Sequence, residues 1–122
     1  MKKLFSLLLA ATSLIGCQSN TEFKSVDAQQ FAEVIANKDV QLVDARTPEE
    51  FSEGHIPGAV NMDVKSENFD TQIAQLDSSR PVAVYCRSGR RSKLAAERMT
   101  NAGLQVTELA DGILSWKGEV VK

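Results

Sequence analysis

At 122 residues the chain has room for about one domain and not for two ordinary ones. With 43% hydrophobic and 25% charged residues it has the make-up of a globular unit, not of a disordered or low-complexity chain. A net charge of −2 supplies no basic excess for gripping a nucleic-acid backbone, so no nucleic-acid partner is expected.

Lys2 and Lys3 precede an apolar run from Leu4 to Ile15, broken by Ser6, Thr12 and Ser13. The run is too short to cross a bilayer as a helix, which takes roughly 20 residues. Its length is that of a secretory h-region. Leu14-Ile15-Gly16-Cys17 resembles the lipobox of bacterial lipoproteins. That resemblance implies cleavage after Gly16 and lipidation of Cys17. Two or three acyl chains hold a protein stably at a membrane where one does not. Residues 1–16 are therefore read as a lipoprotein signal peptide, 17–22 as the lipidated cysteine with a polar tether, and 23–122 as the folded domain. The expected location is the bacterial cell envelope, facing the periplasm or the surface, with membrane contact through the anchor alone. Gln18 after the cysteine favours the outer membrane in enteric-type sorting. With Cys17 acylated, Cys86 is the one thiol left, so neither an intramolecular disulfide nor a dithiol mechanism is open. A thiol kept outside the cytoplasm is exposed to oxidation, and its retention asks for a use.

In chain order, Phe23 to Val26 reads as a short edge strand. Asp27 with Gln30 forms a capping-box pattern for a helix over 28–37 that turns Phe31, Val34 and Ile35 to one side. Val40 to Val43 is a β-rich run ending at Asp44. Thr47, Pro48 and Glu50 mark a second helix start, which Gly54 should stop. Ala59 to Asn61 reads as a brief strand, and Phe69 to Leu76 as a short helix. Pro81 precedes Val82-Ala83-Val84-Tyr85, an apolar run of the kind buried on both faces in a parallel sheet. A helix from Arg90 to Ala102 is expected to turn Leu94, Ala95, Met99 and Ala102 inward, with Gly103 after it. Val106 to Leu109 gives a last strand, and a short helix carrying Ile113, Leu114 and Trp116 closes the chain, with Trp116 in the core. This alternation predicts an α/β fold with a mostly parallel sheet covered on both faces. Sites in such sheets lie beyond the carboxyl ends of the strands, where Asp44 and Cys86 fall.

Cys86-Arg87-Ser88-Gly89-Arg90-Arg91 joins a buried strand to a helix. Backbone N–H groups of a tight glycine-bearing loop can converge on one point, and the positive end of the following helix adds to them. Both effects, with nearby arginines, favour thiolate over thiol. Arg87, Arg90, Arg91 and Lys93 make a cationic patch on an acidic chain, suited to drawing in small anions. A cysteine that is merely a small core residue does not need three arginines and a glycine in the next five positions. Cys86 is thus the candidate nucleophile, and Arg87, Ser88, Gly89, Arg90 and Arg91 the candidate anion contacts, with Arg87 and Arg91 foremost. Asp44 is expected to shape the loop by accepting hydrogen bonds, Arg46 to pair with Glu49 or Glu50 at the surface, and His55 to act as a structural hydrogen-bonder. No cofactor and no metal are expected, since His55 is the single histidine.

Three blocks resemble the signatures of rhodanese-homology domains: Leu42 to Arg46 with Glu50-Phe51 and Gly54 to Asn61; Val84 to Ser92; and Leu109 through Gly112-Ile113 to Trp116. Length and leader look most like the small exported thiosulfate sulfurtransferases of the phage-shock type. The resemblance implies a rhodanese-like fold with a sheet of about five strands. It also implies a Cys86 persulfide that takes sulfur from a donor such as thiosulfate and passes it to a thiol, cyanide or another acceptor. A non-turnover persulfide carrier serving one protein partner is the main alternative. A phosphatase or arsenate-directed relative is a further one. Four residues separate Cys86 from Arg91, one fewer than in protein tyrosine phosphatases and the rhodanese-like phosphatases. The shorter loop matches a sulfur atom carried on the cysteine, and the longer one a phosphate. Two positions depart from the family pattern. Asp111 replaces the first of a common glycine pair and would repel anionic donors if it lies near the loop. Ser88 stands where some members carry lysine, which weakens the expectation of thiosulfate as the preferred donor.

Overall fold

The computed structural model describes residues 22–122, and the signal segment, Cys17 and the tether through Thr21 lie outside the described residues. The elements in chain order are β1 (Lys24–Val26), α1 (Ala28–Ile35), β2 (Gln41–Asp44), α2 (Pro48–Glu53), β3 (Val60–Asn61), α3 (Phe69–Ile73), β4 (Val82–Tyr85), α4 (Arg90–Asn101) and β5 (Val106–Leu109). A single 3-10 turn, Ile113–Ser115, follows where a short helix was expected. The strands form one sheet in the order β1-β5-β4-β2-β3, and every neighbouring pair is parallel. β1 is an edge strand, as its half-polar sequence suggests.

The apolar run of β4 is explained by the period of two along a strand. Val82 and Val84 join Val43, Ala45 and Val106 on one face, under Phe69 and Ile73 of α3 and Ala95, Ala96 and Met99 of α4. Ala83 and Tyr85 join Leu42 and Leu109 on the other, against Phe31 of α1 and Ile56. β4 is central and covered on both sides, so it holds no charged residue, and the one polar atom among its side chains, the Tyr85 hydroxyl, is hydrogen-bonded to the Ile56 N–H. Trp116 packs on this second face, edge-to-face with Phe31 at 6.3 Å between ring centroids.

Two helix starts follow their sequence signals. Asp27 and Gln30 close a capping box on α1, and Thr47 and Glu50 close one on α2 with Pro48 at its first turn. Gly54 ends α2, and the chain leaves Gly103 at φ 94°, the left-handed conformation that glycine adopts after a helix. Three helix expectations need correction. The first helix ends at Ile35, short of Asn37, and α3 ends at Ile73, short of Leu76. In α4, Leu94 is 48% exposed and Ala102 faces solvent. The buried stripe is Ser92, Ala95, Ala96, Met99 and Thr100, a run at i, i+3, i+4, i+7 and i+8. That stripe begins and ends on hydroxyl residues, so hydrophobicity alone locates it about half a turn off.

Candidate active site

The loop after β4 curls back on its own cysteine. Gly89 donates its backbone N–H to Cys86 Sγ at 3.1 Å. The turn depends on glycine: Gly89 has φ 105°, and a Cβ there would lie 1.9 Å from the carbonyl oxygen of Ala110. The cradle is braced from behind. Ile113 N–H donates to the Cys86 carbonyl at 2.9 Å and Leu114 N–H to that of Arg87 at 3.2 Å. Gly112 lies so close that a Cβ there would meet the Arg87 carbonyl oxygen at 2.1 Å. The C-terminal segment thus serves as the floor of the loop, a function its sequence does not disclose. Asp111 is exposed on that segment.

Cys86 itself is only 1% exposed. It sits at the N-terminus of α4, whose first turn contains no acid and carries Arg90, Arg91 and Lys93. Cations at a helix N-terminus oppose the dipole and cost stability, typically some tenths of a kcal/mol each. Their collection here is understandable where negative charge is to be held. The charges divide into two kinds. Arg91 makes a two-pronged pair with Glu50 at 2.8 and 3.0 Å, and Lys93 lies 3.1 Å from Glu108. Among the described residues Arg87 and Arg90 enter no ion pair, and both are exposed, as is Ser88. Of the two arginines favoured from sequence as anion contacts, Arg91 is already committed to a carboxylate and Arg87 is not.

The Arg91 fork pulls the Glu50 carboxyl down from the usual 4.5 to about 2. Glu50 in turn holds the Arg91 guanidinium more firmly charged, with a smaller contribution from the Cys86 sulfur. The Glu50 carboxylate therefore caps α2 by accepting the Thr47 N–H and hydroxyl and clamps α4 beside the loop through Arg91.

Asp44 and Arg46 form a second support. Arg46 does not pair with Glu49 or Glu50, as expected from sequence. Its guanidinium is 7% exposed and grips the fully buried Asp44 carboxylate at 2.7 Å, with further bonds at 3.0 and 3.1 Å. It also donates to the Gly54 carbonyl at 2.6 Å and lies 5.7 Å from the Tyr85 ring centre. A chain turning sharply after β2 brings residues two apart face to face, and Asp44 also accepts the Arg46 N–H at 2.9 Å. Tyr85 accepts the Ile56 N–H at 3.0 Å, and burial pushes its phenol far above the usual range. His55 bonds the Phe51 carbonyl through Nδ1 at 2.8 Å, stacks on the Phe51 ring at 3.7 Å and bridges to Val121 through its backbone. These contacts give it a structural place.

Two neighbours of the sulfur were not singled out from sequence. Ser92 Oγ lies 3.5 Å from Cys86 Sγ, and Glu108 Oε2 lies 2.6 Å from Ser92 Oγ. Glu108 has no solvent exposure. A charged residue at an inward position of a short strand was the available signal, since such a group is rarely buried without a partner. Among the described residues no three His, Cys, Asp or Glu side chains gather as metal ligands do. Taken together, the arrangement can stabilise a thiolate or a sulfur anion at Cys86 by a directed N–H, a helix terminus and surrounding cations.

Comparison with known proteins bears on the fold and the family. The chain is 35% identical over 97 residues to the thiosulfate sulfurtransferase GlpE of Shewanella oneidensis, covering 79% of this chain and 94% of that one. It is 33% identical over 93 residues to a sulfurtransferase of Allochromatium vinosum, covering 75% and 85%. Among solved structures, a rhodanese-related protein from Thermoplasma volcanium superposes with a TM-score of 0.72 at 28% identity, covering 81% of this chain and 98% of that one. An E. coli rhodanese solved with anions gives 0.56 at 32% identity, covering 68% and 98%. The model of the rhodanese-like domain matches residues 27–119, nearly the whole described fold, and the chain belongs to that family.

Proposed function

We propose that this protein is a sulfurtransferase, moving a sulfane sulfur from a small anionic donor such as thiosulfate to a thiol or cyanide. The Cys86 thiolate attacks the outer sulfur of the donor. The donor S–S bond breaks, sulfite leaves with the bonding electrons, and Cys86 carries a persulfide. The acceptor then attacks the outer sulfur, and the Cys86 thiolate is the leaving group. The observation that carries this reading is the Gly89 N–H aimed at Sγ at 3.1 Å, at the head of a helix whose first turn bears cations and no acid. Arg87 and Arg90 supply charge at the rim for the oxyanion part of the donor, and Ser88 a hydroxyl. The thiosulfate sulfurtransferase named above supports the donor class.

The test is an intact mass after incubation with thiosulfate. A gain of about 32 Da, one sulfur, that cyanide removes and that Cys86→Ala lacks is expected for the covalent intermediate. No gain in the native protein would reject the proposed donor chemistry. Arg91 bears on the phosphatase alternative: its fork is filled by Glu50, so it offers no two-pronged grip to a phosphate.

We further propose that Cys17 is lipidated and holds the domain at the cell envelope. The support is the pattern of Lys2 and Lys3, the apolar run to Ile15, and Gly16 before the cysteine. Incorporation of an alkynyl fatty acid, lost together with membrane association in Cys17→Ala, is the expected result.

A further inference from the structure

A fully buried carboxylate stands one hydroxyl away from the reactive sulfur, and the chemistry above gives it no task. Glu108 lies on β5 and points to the same face as Val106, under α4. Its neighbours leave no doubt about which groups it meets. Ser92 Oγ is 2.6 Å from Oε2. Lys93 Nζ, half exposed on the first turn of α4, is 3.1 Å from Oε1. Ser25 on the edge strand β1 donates its hydroxyl to Oε1, as their direct register pairing allows. Ser25 is exposed, so the group connects a sulfur that is 1% exposed to the solvent at the sheet edge.

A hydroxyl has one proton. With Ser92 donating to the Glu108 carboxylate, its lone pairs face Cys86, and at 3.5 Å it can accept the thiol proton. It cannot in that orientation donate to a thiolate. The Gly89 carbonyl, 3.2 Å from Ser92 Oγ, is the other acceptor within its reach, but the carboxylate at 2.6 Å is the closer and the charged one, and the hydroxyl is freed to donate to a thiolate once that carboxylate has been protonated.

We infer that Glu108 is the proton acceptor for Cys86, acting through the Ser92 hydroxyl. In the step, the S–H bond of Cys86 breaks and its proton bonds to Ser92 Oγ. The original Ser92 proton passes to Glu108 Oε2, and the sulfur keeps the electron pair. Ser92 is unchanged in composition but now donates to the thiolate. Net charge in the site is unchanged: it leaves a carboxylate without solvent contact and appears on sulfur, which receives the Gly89 N–H at the head of α4 and lies within the electrostatic reach of Arg91. Lys93 balances the carboxylate before transfer, and Ser25 offers the route by which the proton reaches solvent. Glu108 does not touch substrate and is a positioning residue. The inference rests on the proposed use of Cys86 as a thiolate, but its readout needs no sulfur donor.

The experiment is the pH profile of Cys86 alkylation by iodoacetamide in the full chain, followed by mass spectrometry of the peptide that carries Cys86. Native protein, Glu108→Gln, Ser92→Ala and the double variant are compared, with thermal melts as a check on folding. The expected result is a rate at pH 6 about tenfold lower in each single variant, converging with the native rate above about pH 9, where hydroxide removes the proton unaided. The double variant should lose no more than either single one, as residues on one path do. Plain electrostatics predicts the opposite sign for Glu108→Gln, since removing a nearby negative charge favours thiolate. A rate at pH 6 equal to or above the native one in folded Glu108→Gln, or additive losses in the double variant, would overturn the inference. If Glu108→Gln does not fold, Ser92→Ala decides alone by the same criterion. A native protein that forms no persulfide with thiosulfate would sink the proposed donor chemistry while leaving this profile to be read independently.

Discussion

Replacing Glu50 by Gln probes the clamp between α2 and α4. Glutamine keeps the shape of the side chain and an oxygen that can accept from Thr47 and from one arm of Arg91, so the change removes charge with little loss of packing. A carboxyl drawn from 4.5 to about 2 by its partner corresponds to about 3 kcal/mol of linked stability at neutral pH. The pair is only partly buried, with 26% exposure at Glu50 and 20% at Arg91, and solvent screening reduces the expected cost of the substitution to about 1–2 kcal/mol. The folded value lies below the ordinary one, so the contribution is present above about pH 4.5 and is lost as pH falls through about 2. Urea unfolding followed by Trp116 fluorescence at pH 7, 5, 4 and 3 measures it. Other carboxylates also protonate over this range, so the quantity to follow is the difference between native and variant proteins. That difference should fall to less than half of its neutral value by about pH 3. A gap of the same size at pH 7 and pH 3, or none at pH 7, would refute the assignment of the clamp to a charge pair.

Asp44→Ala leaves the Arg46 guanidinium buried without its carboxylate and should cost about 3–5 kcal/mol in urea unfolding; a cost below about 1 kcal/mol would mean that Arg46 escapes to solvent. Gly89→Ala meets a left-handed backbone, worth about 1–2 kcal/mol for other residues, and in addition a carbonyl oxygen 1.9 Å from the new Cβ. Its stability loss should exceed the backbone strain alone, and Cys86 alkylation should slow because the Gly89 N–H is displaced from sulfur; native reactivity would show that this N–H is dispensable. Tyr85→Phe strands the buried Ile56 N–H and should cost about 1–3 kcal/mol, measured by thermal or urea unfolding, with no change in cyanide-releasable sulfur on Cys86 beyond what stability explains.

Much of this protein is written in short stretches of its chain. The capping boxes at Asp27 with Gln30 and at Thr47 with Glu50 are contacts between residues three apart, so local sequence suffices to place them. The apolar run Val82 to Tyr85 announces a strand buried on both faces. The position of Cys86 at its end, before Gly89 and the arginines, announces the loop, because backbone turn and helix start are local events. The alternation of strands and helices gave the mostly parallel sheet, and the resemblance in three blocks added the family and the count of about five strands.

What tertiary structure alone decided is which distant residues meet. Glu50 and Arg91 stand 41 residues apart; they face each other because β4 lies beside β2 in the sheet, which carries the helices that follow these strands into contact. For the same reason Glu50 was unavailable to Arg46, which turned to Asp44 in the core, where a buried guanidinium needs a carboxylate. Ser25 and Glu108 become partners through the register of the two ends of the chain, β1 against β5. Leu94 was read as inward on hydrophobicity, yet Ser92 took the buried side of α4 because its hydroxyl finds Glu108 and Cys86 there. A hydrophobic pattern ranks side chains by their transfer from water, and a polar group whose bonds are all met inside the fold escapes that ranking. Cysteine, loop and helix could thus be located from sequence, while the carboxylate placed to take the thiol proton could be found only once the strands were laid side by side.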